Sequence, residues 1–480
     1  PNPEIEYDLA VKTRKDVIMA TGRSDHPNQV NNVLGFPFIF RGALDVRATK
    51  INEEMKMAAV HALANLAKES VPEQVNITYG EINIQYGREY IIPKPFDARL
   101  ITEVPPAVAK AAMESGVAKY PIKDWDVYRE ELAERLGTGS KLMRMITERA
   151  KANPKTVVFA EADHLDVLKA AQIVYDDGIG NPILLGNQVI IKELMDELNF
   201  EADLPIIDPK SDEEKERRNR FAKIYWEQHQ RNGITLLDAQ KWMRERNYFA
   251  AMMVNEGEAD SLVTGYSRSY PSVAKPMIEL IGMAKGVSRV AATNIMMTDR
   301  GPMFFSDTAF NINPTEQELV QIARMTDRVM RIFGLDPHLA LLSYSNFGSA
   351  DSESANKASK AVALLHEHFP DIKIDGEIQA DFALTGTMRD ENFPFSKIYK
   401  KKVNGLIFPS LNSANISYKL LKSLNNIDSI GPIVMGLKKP AHILQLGCSV
   451  DEIVNMVCVA IVDAQENAKN NTDYFTTFGC

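Results

Sequence analysis

Apolar positions recur along this chain with two different periods, and where they alternate they describe a layered fold. From about Asn153 onward, short apolar runs take turns with helical patterns. "TVVFAEA" predicts a strand, and "DHLDVLKAAQIVYDDG" keeps apolar residues at helical spacing until a glycine stops it. "NPILLGN", "ADSLVTGY", "VSRVAATNIMM", "MFFSDTAF", "HLALLSYS", "VNGLIFPS" and "GPIVMGL" repeat the strand signal, mostly with a helix between. This βαβ alternation predicts an α/β fold with a largely parallel, helix-covered sheet, long enough for two sheets side by side. Ligands of such folds sit outside the carboxyl ends of strands, at helix N-termini.

Before Asn153 the pattern differs. "VIMATG" reads as a buried strand and "INEEMKMAAVHALANLAKES" as an amphipathic helix. "QVNITYGEINIQYGREYIIPKPFDARL" has no helical period and reads as an extended arm; "PPAVAKAAMESGVAKYP" reads as a short helix with Pro106 near its start. "DWDVYREELAERLG", ending at Gly137, reads as a linker helix.

Composition narrows the function classes. At 480 residues the chain exceeds one core and should form two or three domains. A formal charge of −9 argues against a nucleic-acid binder. Without an apolar run that could span a bilayer, or a secretory leader, the expectation is a cytoplasmic protein without membrane partners. Cys448, Cys458 and Cys480 form no Cys-x-x-Cys, so neither a disulfide framework nor a zinc site is indicated. His366 and His368, two apart on a helix, point to different sides and make a poor metal pair. The opening "PNPEIEYDLA" has no initiator methionine and reads like the inside of a protein, so the chain is expected to be a fragment.

Candidate chemistry begins with "GRSDHPNQVNNVLGF", where side-chain amides crowd against an apolar run. They either hold a polar ligand in a dry place or cap turns, and pattern alone leaves the two readings even. The longer stretch "ATGRSDHPNQVNNVLGFPFIFRGALDVRATKINEEMK" resembles the C-terminal part of the nucleotide-binding domain of bacterial NADP-dependent malic enzymes. By that resemblance Asn31 and Asn32 sit beside the substrate carboxylate and the nicotinamide, with Asn32 favoured for malate. The family's general base and acid, its carboxylate ligands for Mg²⁺ or Mn²⁺ and its glycine-rich dinucleotide loop lie upstream of the matching segment; no G-x-G-x-x-G occurs here.

From Gly137 on, "AFNINPTEQELVQIA", "LALLSYSNFGSA", "IDGEIQADFAL", "NGLIFPSLNSANISYKLL" and "IGPIVMGLKKPAHILQLGCSVDEIV" resemble phosphate acetyltransferase. The two resemblances in this order are those of the large hybrid malic enzymes of bacteria. They imply residues 1–75 as the remnant of a Rossmann-type domain and 76–136 as arm and linker. Residues 137–480 would then be a two-lobed αβα module, one lobe about 137–280 plus 440–480 and the other about 281–439.

That resemblance also directs attention to an acetyl-CoA or phosphate pocket near Lys275, Ser413, Asn415, Gln445, Leu446, Gly447, Cys448 and Glu452. Acetyl transfer needs cations for the acetyl-phosphate dianion and a group for the thiol proton. Where the active family carries a serine followed by an arginine, this chain has Gln445 and Leu446; Glu452 aligns with a family aspartate and Lys275, more loosely, with an arginine. "SVDE" also reads as a capping box on Ser449 and Glu452, and Asn412 or Ser413 as a helix cap. Cys448 reads as a small buried thiol. The resulting expectation is a malic enzyme part using NADP and Mg²⁺ or Mn²⁺. Its acetyltransferase-like module is expected to be inactive, to sense acetyl-CoA and to assemble homo-oligomers; an active acetyltransferase and a pure scaffold are the rivals.

Overall fold

Asn52 starts a helix of 14 residues: its side-chain oxygen accepts from the N–H of Met55 at 3.1 Å, and Glu53 and Glu54 follow in the first turn, where a helix favours negative charge. The computed structural model describes residues 5–81, 84–135, 139–425, 427–469 and 474–475. It divides into two units, Pro1–Lys141 and Leu142–Cys480.

In the first unit, helices α1 (Phe36–Asp45), α2 (Glu53–Leu66) and α3 (Leu100–Glu114) enclose a core that includes Leu34, Val46, Met55, Leu66, Val104 and Val108. Helix α4 (Trp125–Glu134) adds Tyr128 and Leu132. Three expectations change here. The stretch 76–136, read as arm and linker, supplies α3 and α4 to this core, although residues 84–99 do lack regular structure. Helix α3 begins at Leu100, with Pro105 and Pro106 inside it, so two ladder bonds are missing; its fully buried face offsets them. "VIMATG" forms no strand: it has only an isolated bridge from Thr21 to Gln29, Ile18 is exposed, and no neighbouring strand is described to pair with it. Gly137, the expected linker end, lies outside the described residues.

Gly42 sets how closely α1 meets α3. A β-carbon there would lie 2.5 Å from the carbonyl oxygen of Pro105 and 2.9 Å from Cβ of Val108. Alanine would gain about 1 kcal/mol of helix propensity, but a backbone oxygen cannot step aside. Gly42→Ala is expected to destabilise this unit by about 1–3 kcal/mol in urea denaturation.

The second unit holds two sheets. The first is parallel, in the order β11-β4-β1-β2-β3, formed by β1 (Thr156–Phe159), β2 (Asn181–Leu185), β3 (Ile206–Ile207), β4 (Ser261–Thr264) and β11 (Ala441–Ile443). The second runs β10-β5-β6-β9-β7-β8, from β5 (Ala291–Thr298), β6 (Gly301–Ser306), β7 (Leu339–Leu342), β8 (Ile374–Ile378), β9 (Gly405–Ile407) and β10 (Ser429–Met435). In that sheet β10 and β6 lie antiparallel to β5, while the remaining pairs are parallel. Strands β4, β7, β8, β9 and β11 are buried along their whole length, as parallel strands covered on both faces require. The chain thus builds most of the first sheet, crosses to the second, and returns for β11. Residues from both sheets, among them Phe159, Val263, Phe304 and Leu341, share one apolar cluster with the long helix Val450–Lys469.

Candidate functional site

Two cavities contain expected site residues. In the first unit, a cavity of about 370 Å³ is lined by Asn31 and Asn32 among Val30, Leu34, Phe36, Ile39, Val60, Leu63, Ile91 and Ile92. The amide-rich loop splits into roles there. Asn28 is buried with a left-handed backbone; its amide donates to the carbonyls of Met19 (2.9 Å) and Arg88 (2.8 Å) and accepts from the N–H of Ile91 (2.8 Å). Asn31 accepts from the N–H of Val33 at 3.0 Å and caps the turn Asn32–Leu34. Asn32 is exposed and makes no side-chain hydrogen bond among the described residues. No cation lines this cavity. Among the described residues no group of His, Cys, Asp or Glu could hold a metal ion, so the described residues do not fit Mg²⁺ or Mn²⁺, and His366 is engaged instead with the carbonyl of Ile374 at 2.8 Å.

The second cavity, about 400 Å³, lies in the second unit where the loops after β4, β6 and β11 meet the helix Leu411–Asn425. Arg268, Tyr270, Pro271, Thr308, Ala309, Asn415, Tyr418, Lys419, Pro432, Leu444, Gln445 and Leu446 line it. Three expected residues therefore come together: Asn415, Gln445 and Leu446. Asn415 donates to the carbonyl of Thr308 at 3.1 Å, and Gln445 donates to that of Gly431 at 3.2 Å, tying the end of β11 to β10. Leu446 is 66% exposed, an apolar side chain left open at the rim.

The other candidates point elsewhere. Lys275 lies outside the lining and pairs with Glu279 at 3.8 Å, whose other oxygen accepts from the hydroxyls of Tyr225 and Tyr248. Ser413 turns back to donate to the carbonyl of Ser410 at 2.7 Å; the cap of this helix is Ser410, not Asn412 or Ser413, because the helix begins at Leu411. Gly447 has a φ of 71° and turns the chain into the last helix. There the capping box is present: Glu452 accepts from the N–H of Ser449 at 2.9 Å and donates its own N–H to the Ser449 hydroxyl at 3.2 Å. Its other oxygen accepts from Lys422 at 2.9 Å, so both oxygens are engaged. Cys448 is buried, and burial, helped by Glu452, pushes its thiol up to about 12. It stays protonated at neutral pH. Cys480 lies outside the described residues.

Sequence reasoning missed Arg268 and Lys419. Neither makes a hydrogen bond or ion pair within the described residues, and they are the only charged residues in the lining. Arg268 follows β4 in "TGYSRSY", where a strand's carboxyl end could have flagged it; Lys419 lies one helical turn from Asn415. The cavity therefore keeps positive charge although Leu446 carries none. It contains no carboxylate, imidazole or thiol. Burial raises the hydroxyls of Tyr270 and Tyr418, so both remain neutral. Such a site can hold an anion with an apolar appendage, but it offers no base.

Comparison with known proteins fits this division. The family described as malic enzyme, NAD binding domain, matches residues 14–84, and that described as phosphate acetyl/butaryl transferase matches residues 141–461. The NADP-dependent malic enzyme of Haemophilus influenzae is 44% identical over 471 residues, covering 97% of this chain and 62% of that protein. The chain thus spans somewhat over half the length of the curated malic enzymes it matches. The phosphate acetyltransferase of Thermoanaerobacterium thermosaccharolyticum is 34% identical over 331 residues, which is 68% of this chain and 99% of that protein. A phosphotransacetylase from Streptococcus pyogenes superposes with a TM-score of 0.63 at 32% identity, over 69% of this chain and 99% of its own. With a malic enzyme NAD-binding segment ahead of it and a match over most of its length, the chain belongs to the phosphate acetyl/butaryl transferase family.

Proposed function

We propose that this chain is the C-terminal portion of a malic enzyme that oxidises and decarboxylates malate to pyruvate with NADP⁺ and Mg²⁺ or Mn²⁺. Its second unit binds acetyl-CoA as an effector and assembles subunits, without transferring acetyl groups. The observation that carries this reading is the lining of the second cavity: two cations with no partner among the described residues, amides and an open leucine, with no carboxylate, imidazole or thiol to take a thiol proton. Ligand recognition and acid–base catalysis have different requirements, and only the first set is represented. An apolar stripe of Ile416, Leu420 and Leu424, exposed at every fourth position of the helix Leu411–Asn425, supports the assembly role. Acetyl-CoA derives from pyruvate carbon, which makes it a fitting signal for an enzyme that forms pyruvate. To regulate, it must favour one state of the enzyme, typically by about 1–3 kcal/mol.

Calorimetric titration with acetyl-CoA tests the reading: saturable binding is expected, and a folded chain giving no binding heat at millimolar acetyl-CoA would leave only the scaffold. Arg268 gives the rival, an active acetyltransferase, one specific point in its favour, because a cation is present where Leu446 supplies none. The malate half of the proposal makes its own prediction. With no fitting metal ligands among the described residues and no G-x-G-x-x-G loop, the 480-residue chain should reduce no NADP⁺ with malate and Mn²⁺. In the full-length enzyme Asn32→Ala should impair malate turnover; unchanged kinetics would mark the loop as structural throughout.

A further inference from the structure

The positive charge of the second cavity has a support lying outside it. Glu161, just past β1 and 1% exposed, takes donors from the loop that ends at Arg268. One oxygen accepts from the N–H of Gly265 (2.8 Å) and Tyr266 (2.6 Å); the other accepts from the N–H (3.4 Å) and hydroxyl (2.7 Å) of Ser267. Three successive N–H groups converging on one carboxylate fix the backbone of three successive residues. Tyr266 is held a second way, its hydroxyl donating to Asp166 at 2.6 Å and its ring 5.4 Å from that of His164. Gly265 closes the remaining freedom. At a φ of 102° it packs so closely on β11 that a β-carbon would lie 2.8 Å from Cγ2 of Ile443. The loop is therefore pinned through Ser267. Arg268, the next residue, is the first whose side chain has no partner among the described residues, and it lines the cavity.

We infer that Glu161 is a positioning residue that holds Arg268 over the cavity, where Arg268 and Lys419 recognise the phosphate-bearing part of an anionic ligand. The inference rests on the reading of this cavity as a ligand site and adds which part of the ligand it grips. The shared chemistry is a phosphate ester or anhydride, whether the pyrophosphate of CoA or a small free phosphate compound. Two cations without a carboxylate suit a multiply charged anion, and a guanidinium can grip two phosphate oxygens at once.

The test is calorimetry on the 480-residue chain with two probes, acetyl-CoA and inorganic pyrophosphate, at several salt concentrations. Arg268→Ala should weaken acetyl-CoA binding by roughly tenfold or more and flatten its salt dependence. Glu161→Gln should weaken it similarly, because an amide group would face N–H donors. The double variant should bind no worse than Arg268→Ala alone, since Glu161 acts through Arg268. A merely structural role would add to the loss, and additivity would overturn the inference. Should Glu161→Gln fail to fold, Ser267→Ala removes the hydroxyl donor while leaving the carboxylate and the backbone N–H in place, and its loss must vanish in the Arg268→Ala background. Equal acetyl-CoA affinity in wild type and Arg268→Ala overturns this inference and leaves the acetyl-CoA reading standing. Arg268-dependent binding of pyrophosphate without binding of acetyl-CoA does the reverse. Binding of neither probe by the folded chain overturns both.

Discussion

Given acetyl phosphate and CoA, the chain should form acetyl-CoA on the order of a thousandfold more slowly than an active phosphate acetyltransferase. Two deficits combine. The CoA thiol must lose a proton before it attacks, and no residue lining the cavity can accept one at neutral pH. The thiol and the carboxylate that follow Leu446 cannot fill that role: burial keeps Cys448 a thiol, and Glu452 is shared between its helix cap and Lys422. The second deficit lies at Gln445 and Leu446. The amide of Gln445 is committed to the Gly431 carbonyl, and Leu446 offers no charge-assisted bond to a transferring group. Each such bond is worth about 1.5–3 kcal/mol, so losing two costs several decades of rate. Arg268 can restore attraction for the ligand but cannot move a proton, so binding and turnover should separate. Turnover at ordinary acetyltransferase rates in a spectrophotometric assay would sink the inactive reading and promote its rival.

The second large effect is expected at Asn415. Its side chain spans from the helix Leu411–Asn425 to the carbonyl of Thr308 and forms part of the cavity wall. Asn415→Trp would place an indole in a space of about 400 Å³ that also has to admit a ligand. The fold should lose only one partly exposed hydrogen bond, about 1 kcal/mol. Acetyl-CoA affinity should fall by at least about a hundredfold, roughly 2.8 kcal/mol. Calorimetry beside a thermal melt separates the two: native-like melting with undiminished binding would mean that the ligand sits elsewhere. Ser413, named from sequence as an equivalent position, is a poorer test because its hydroxyl folds back onto Ser410.

What the sequence disclosed depended on whether the signal was local. The strands of the second unit were legible because a strand buried on both faces is a continuous apolar run, as in "SLVT" and "LALL". The capping box at Ser449 was legible because its two partners are three residues apart. Helix α3 was misread at its start because prolines are strong local stop signals, and only burial against α1 and α2 outweighs them. "VIMATG" looked like a strand because apolarity does not reveal whether a neighbour exists to pair with it. The cavity was half legible. Gln445 and Leu446 stood out by departing from a motif, whereas Arg268 and Lys419 matter only because distant loops bring them together. The role of Glu161 was invisible, since its partners lie about a hundred positions downstream.

The return of the chain to its first sheet also has a consequence for birth on the ribosome. Strand β4 is made before any strand of the second sheet, yet its outer edge waits for β11 until that whole sheet has been synthesised. Over that interval the nascent first sheet carries an open parallel edge at β4, the kind of surface that chaperones cover and that neighbouring nascent chains can join. Its pocket, which draws on the loops after β4, β6 and β11, can form only after β11 has been made. A ribosome stalled before Ala441 should therefore display a first sheet that proteases still digest, and emergence of β11 should be the step that makes it resistant.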